Sequence, residues 1–429
     1  MVWGVTLFAV IIVVYGALAG TLGRWSITAP MIFVAAGLLL GSTGLNVIQL
    51  SMQTEGIKQL TEITLALLLF ADASTLSFRQ VREDAMLPAR LLTVGILLTI
   101  ALGTITALIL FPVEGLAFAA LSGAILAPTD AALGLPIFNN PAVPARVRRA
   151  LNVESGLNDG IATPIVTLFL AFAAATEAQA RSGGWLPTAL AEIGLAVLAG
   201  AGIGMAGGWL FRLAARRGWT ESAALQVGTL ALGLAAYLGS LALGGNGFIA
   251  AFVGGIAFGN VMGRQAVDLI EPTEDLGMIL SILVWGIFGA LFVPLALHYT
   301  TDWRPVLYAI LSLTVIRMAP VALAMRGVGF RRDTVALMGW FGPRGLASVV
   351  FTLMAFLEFE HAGRPIDTLA ATATWTILLS VFAHGLSAVP LSAWYARRLA
   401  RAPQPLAETA VVADLPGRRG VRGGEGMRG

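Results

Sequence analysis

Residues 151–164 read L-N-V-E-S-G-L-N-D-G-I-A-T-P and place two carboxylates, Glu154 and Asp159, between long apolar runs. An amide, Asn158, and a hydroxyl, Ser155, lie between them. A charge at bilayer depth costs about 2.5–3.5 kcal/mol even on insertion scales, so such a segment is a functional-site hypothesis by default. The plainer alternative is a polar re-entrant loop or a cytoplasmic turn. A carboxylate withdrawn from water holds its proton to higher pH. With hydroxyl and carbonyl oxygens around it, it can also replace the water shell of a small cation. One group that takes either a proton or a cation, but not both, is a minimal exchanger.

The elements that must position these residues are transmembrane. Of 429 residues, 57% are hydrophobic and only 12% charged, against about 25% charged in soluble domains. Mean hydropathy is +0.83. The composition is that of an all-α polytopic membrane protein, and a soluble globular class is excluded. There is no cysteine, which removes disulfides and thiolate metal sites. The formal charge of +3 implies no nucleic-acid partner, and no cofactor is expected. No basic side chain precedes the first apolar run, so residues 2–22 read as a retained span and not a cleaved signal peptide.

A span needs about 20 apolar residues. Thirteen candidates follow: 3–22, 27–45, 57–77, 88–111, 116–138, 147–175, 186–211, 223–243, 246–262, 273–297, 305–325, 334–357 and 368–396. Residues 1–400 thus form one transmembrane domain, and the Gly/Arg-rich 401–429 reads as a disordered tail. With this count, 21 basic residues fall on the side shared by the C-terminus and four on the other. The asymmetry predicts a cytoplasmic C-terminus and an outward N-terminus.

Two spans look broken. The fifth contains A-P-T-D-A-A around Pro128, Thr129 and Asp130; the twelfth contains G-W-F-G-P-R-G around Pro343 and Arg344. Proline in mid-span removes a backbone donor, and irregular backbone survives at membrane depth only when buried in protein or lining a wet cavity. The breaks are seven spans apart, which predicts two inverted six-helix repeats joined by a seventh helix. Paired interruptions in corresponding halves point to a transporter's midplane site.

The remaining intramembrane charges are Arg317 in the eleventh span and Arg344 in the twelfth, with Asp72 near the end of the third and His384 in the thirteenth. Such charges pair or face water. Arg317 is the expected partner of Glu154, and Arg344 the expected compensation at its own break. Asp72 suits an interfacial cap as well as a functional role; His384 suits packing or hydrogen bonding.

The motifs P-T-D (128–130), E-S-G-L-N-D-G (154–160), the span-borne Arg317, F-G-P-R-G-L-A-S (341–348) and H-G-L-S-A (384–388) resemble the monovalent cation/proton antiporter family, in its NhaP-type sodium/proton exchanger branch. The resemblance covers nearly the whole chain. It departs at Ala131, where the family often has proline. It implies a homodimer in which a core domain (about 88–175 and 305–396) moves against a dimerisation domain (about 3–77 and 223–297), with 186–211 as linker. It implies that Asp159 is the exchanging carboxylate, that Asp130 and Thr129 help bind the ion and that Ser155 is a ligand. Glu154, Asn158 and Arg317 would form a supporting network. The expected function is exchange of a monovalent cation, sodium first and potassium or lithium next, for protons in a prokaryotic cell membrane. The amide at Asn158 beside Asp159 predicts an electroneutral cycle. An intramembrane aspartyl protease and a passive channel are the readings from other classes. The aspartates follow Thr129 and Asn158, not the protease motifs, and the charges are placed singly, not in a ring or filter.

Overall fold

The computed structural model describes residues 2–52, 54–75, 86–138, 140–175, 183–298, 301–361, 366–403 and 406–410. Every regular element among them is helical. In order these are α1 (Val2–Arg24), α2 (Ala29–Leu40), α3 (Glu55–Ser74), α4 (Met86–Leu110), α5 (Gly115–Ile125), α6 (Ala131–Phe138), α7 (Ala145–Ala174), α8 (Trp185–Arg216), α9 (Ser222–Ala242), α10 (Gly247–Met262), α11 (Gln265–His298), α12 (Arg304–Ala324), α13 (Arg332–Trp340), α14 (Leu346–His361) and α15 (Asp367–Ala400). An all-helical answer is what the bilayer demands, because only a helix satisfies its backbone within one segment.

Eight of these helices are long and apolar enough to cross a membrane, and α2, α5 and α10 are shorter apolar helices. The chain is an integral membrane protein. Both expected interruptions are present. The fifth span divides into α5 and α6 around residues 126–130, and the twelfth into α13 and α14 around residues 341–345. The two breaks meet: the amide of Asp130 donates to the carbonyl of Pro343 at 2.7 Å. A third irregularity has no proline at its position. Thr314, with φ −110° and ψ −94°, interrupts α12.

Small residues set the closest helix contacts. A side chain at Gly200 or Gly204 of α8 would strike the backbone of Ala250 or Gly254 of α10. Where lipid gives apolar helices no preference for each other, such close backbone approach drives packing.

A second apolar cluster gathers at one end of the bundle and joins Leu87, Val147, Leu151, Met338 and Tyr395. Part of the segment expected to be a disordered tail is described here. Most of it lies outside the described residues, but residues 406–410 are ordered on this cluster. Glu408 is buried, and its Oε1 accepts from the Arg331 amide and the Thr334 hydroxyl, both at 2.7 Å. Arg146 donates to the carbonyl of Ala407 at 2.8 Å. A buried carboxylate with two donors outweighs the polar, glycine-rich composition that follows it.

Candidate functional site

Helix α7 carries the polar segment through the interior. Glu154, Ser155 and Asn158 are buried, whereas Asp159 is half-buried. Positions four apart share a helical face, so Ser155 lies under Asp159 and Glu154 under Asn158. Pro164 stands inside α7. It has no amide proton to give the carbonyl four residues back, which leaves the Gly160 oxygen beside Asp159 without its helical donor.

The α5–α6 break delivers Thr129 to this face. Its Oγ1 lies 3.2 Å from Ser155 Oγ, and Asn158 Nδ2 donates to the same Thr129 oxygen. With the amide turned that way, Asn158 Oδ1 is buried and has no hydrogen-bond partner among the described residues. An unmatched buried acceptor beside two hydroxyls and a carboxylate is an oxygen-rich setting able to exchange a cation's water shell for protein ligands.

Asp130 and Arg344 occupy the crossing itself. Asp130 Oδ2 accepts from the amide of Leu346, the first residue of α14, at 3.0 Å. Gly345 makes this approach possible, because an added Cβ would lie 1.8 Å from that oxygen. Arg344 is fully buried, and its Nη1 donates to the carbonyls of Ala127 (3.0 Å), Pro128 (3.4 Å) and Gly342 (3.3 Å). Its Nη2 donates to the carbonyl of Ser312 at 3.4 Å. The guanidinium therefore meets the negative C-terminal end of α5, and the carboxylate meets the positive N-terminal end of α14. Arg344 was expected to compensate its own break; it also reaches into the opposite one.

Glu154 and Arg317 pair as expected. Arg317 Nη1 donates to Glu154 Oε1 at 2.6 Å, with both side chains 1% exposed. The arginine passes over Gly342, where a Cβ would lie 2.3 Å from its Nε.

His384 takes the hydrogen-bonding role. Its Nε2 lies 2.8 Å from the Trp340 carbonyl, and its Nδ1 lies 3.0 Å from the Ser380 carbonyl one turn back on α15. The same Nδ1 lies 3.0 Å from Ser380 Oγ, and that hydroxyl accepts from the Arg344 amide at 2.6 Å. The chain Arg344–Ser380–His384–Trp340 ties both lips of the α13–α14 break to α15. Asp72 lies half-buried near the C-terminal end of α3, and its carbonyl accepts from Thr75 Oγ1 at 2.9 Å.

Sequence reasoning missed three contributors. Ser380 stands one helical turn before His384, a spacing that could have flagged it. Ser312 acts through its carbonyl and Leu346 through its amide, and backbone groups leave no compositional trace. Glu62, half-buried in α3, was also passed over; it accepts from Tyr237 Oη at 3.0 Å.

Residues 7–394 match the family described as sodium/hydrogen exchanger, transmembrane. The K(+)/H(+) antiporter NhaP2 of Shewanella sp. (strain ANA-3) is 25% identical over 393 residues, covering 90% of this chain and 66% of that protein. The Na(+)/H(+) antiporter ApNhaP of Aphanothece halophytica is 23% identical over 365 residues, covering 81% and 67%. This chain thus spans about two thirds of the length of such relatives. The fold is similar to that of the sodium proton antiporter MjNhaP1 from Methanocaldococcus jannaschii at pH 8, with a TM-score of 0.70 at 18% identity over 90% of this chain and 99% of that one. A family pattern that runs from α1 into α15 and includes both breaks and the polar face of α7 makes this chain a member of the sodium/hydrogen exchanger family.

Proposed function

We propose that the protein is a secondary transporter that exchanges a monovalent cation, sodium first, for protons by alternating access. The observation that carries this reading is the half-buried Asp159 carboxylate beside the buried Thr129–Ser155–Asn158 cluster, where two broken helices cross. Asp159 holds either the proton or the cation. Ser155 and Thr129 supply ligand oxygens with Asp130 close by. Glu154, Asn158 and Arg317 hold the frame, and Arg344 balances the helix ends. One exchanging carboxylate makes the cycle electroneutral.

Potassium in place of sodium is the second reading, favoured by the printed K(+)/H(+) name of the Shewanella relative; the Aphanothece relative carries the Na(+)/H(+) name. The reading includes thirteen spans in two inverted repeats, with the N-terminus outside and the C-terminus in the cytoplasm of a prokaryote. It also includes a homodimer whose core helices (about 88–175 and 305–396) move against the scaffold (about 3–77 and 223–297). Purified protein in liposomes with an internal pH dye, challenged in turn with sodium, potassium and lithium, tests it. Cation-dependent proton release is expected, and no response to any of the three overturns it.

A further inference from the structure

Asp159 is half-buried, yet the next residue, Gly160, is covered: a Cβ there would lie 2.2 Å from the ring of Phe252 on α10. The aromatic ring therefore lies flat against the α7 backbone just past the exchanging carboxylate. Two helical turns further toward the Ala174 end of α7, Asn246 Nδ2 donates to Thr167 Oγ1 at 3.0 Å. Asn246 precedes α10, and its Oδ1 accepts from the Ile249 amide at 3.1 Å, an N-cap. The cap fixes the orientation of the amide: with Oδ1 committed to α10, only Nδ2 faces α7. The pairs 246–167 and 252–160 run in opposite directions, as antiparallel helices require, and lie about 10 Å apart at 1.5 Å per residue. Beside them, Phe248 of α10 meets Phe351 of α14 edge-on, with ring centroids 6.5 Å apart.

We propose that Phe252 on Gly160, with Phe248 on Phe351, is the apolar seal that closes the site toward the Ala174 end of α7. In this proposal the Asn246–Thr167 hydrogen bond is the latch that holds the seal shut and sets how often it opens. It rests on the exchange reading above, since only an alternating transporter must open it. Phe252 is placed so that its ring excludes water beside Asp159. Asn246 is a positioning residue that acts through α10.

The absence of cysteine makes the test direct. Nitroxide labels at Leu243→Cys and Ala174→Cys bracket the seal, and pulsed electron resonance in liposomes reads their separation at acid and alkaline pH, with and without sodium or potassium. Two distance populations are expected. Asn246→Ser keeps a capping oxygen but is too short to reach Thr167, and Thr167→Val removes the acceptor from the other helix. Each should raise the longer-distance population about fivefold, the change expected on losing one hydrogen bond of ordinary net strength. The double variant should add nothing further. One unchanging distance in all variants and conditions overturns the seal. Unchanged populations in both variants overturn the latch. Exchange with a fixed distance leaves the transport reading standing and sinks the seal; responsive distances without exchange of sodium, potassium or lithium do the reverse.

Discussion

Asp130 and Arg344 each stand in one chain break and serve the helix end that lies across from it. Asp130 Oδ2 accepts from the first amide of α14 at 3.0 Å, and Arg344 Nη1 donates at 3.0 Å to the Ala127 carbonyl just beyond α5. Two helices that stop at mid-bundle expose opposite partial charges, and the chain answers each with a full charge carried on the other break. This reciprocity locks the two half-helices into one unit.

Asp130→Asn should keep the acceptor for Leu346, whereas Asp130→Ala removes it. The alanine variant should melt lower than the asparagine variant, by about 1 kcal/mol, the usual worth of an N-cap. Gly345→Ala should be far worse, since its Cβ would lie 1.8 Å from the Asp130 carboxylate. Thermal melting in detergent checks both, and native-like melting of Gly345→Ala would show that the crossing is looser than described.

Glu154 and Arg317 are each expensive to bury alone. Removing one partner of a buried pair costs about 3–5 kcal/mol. Glu154→Ala and Arg317→Ala should each reduce stability on that scale, and the double change should cost less than their sum. A double-mutant cycle measured by melting decides it, with strict additivity counting against the pair.

Asp159→Asn should abolish cation-driven proton flux while the protein still folds, because a neutral isostere cannot trade a proton for a cation. Flux in liposomes and monodispersity in detergent, measured together, test this. Substantial flux in the variant would move the exchanging group elsewhere.

The exchange equilibrium should ignore membrane potential. A potential acts on moved charge at about 2.3 kcal/mol per elementary charge per 100 mV, and a one-for-one cycle moves none. With the potential clamped by potassium and valinomycin at fixed sodium and proton gradients, the balance point should stay put. A systematic drift with potential would mean an electrogenic cycle.

Glu408→Ala should release the docked C-terminal segment, because the Arg331 amide and the Thr334 hydroxyl both rely on its Oε1. Stranding buried donors costs about 1–3 kcal/mol. Limited proteolysis should then cut near residues 406–410 faster than in the natural chain; equal rates would mean the segment is held by its apolar contacts.

The sequence by itself determined the membrane class, the two interruptions and the polar segment of α7. Each of these is a local property. A bilayer forbids unsatisfied backbone and stray charge, so apolar run length, mid-span proline and intramembrane carboxylates can be read one segment at a time. It also narrowed the partner of Glu154 to an arginine, since a buried carboxylate leaves few choices. The tertiary structure decided what depends on distance. Only the fold brings Leu346 to Asp130, Ser312 and Ala127 to Arg344, and Ser380 between Arg344 and His384. Most of these partners are backbone groups, which every residue carries and no motif marks. The interruption at Thr314 and the docking of Glu408 were likewise invisible, because distant residues serve both places: Arg344 donates to the Ser312 carbonyl beside the interruption, and Thr334 donates to Glu408.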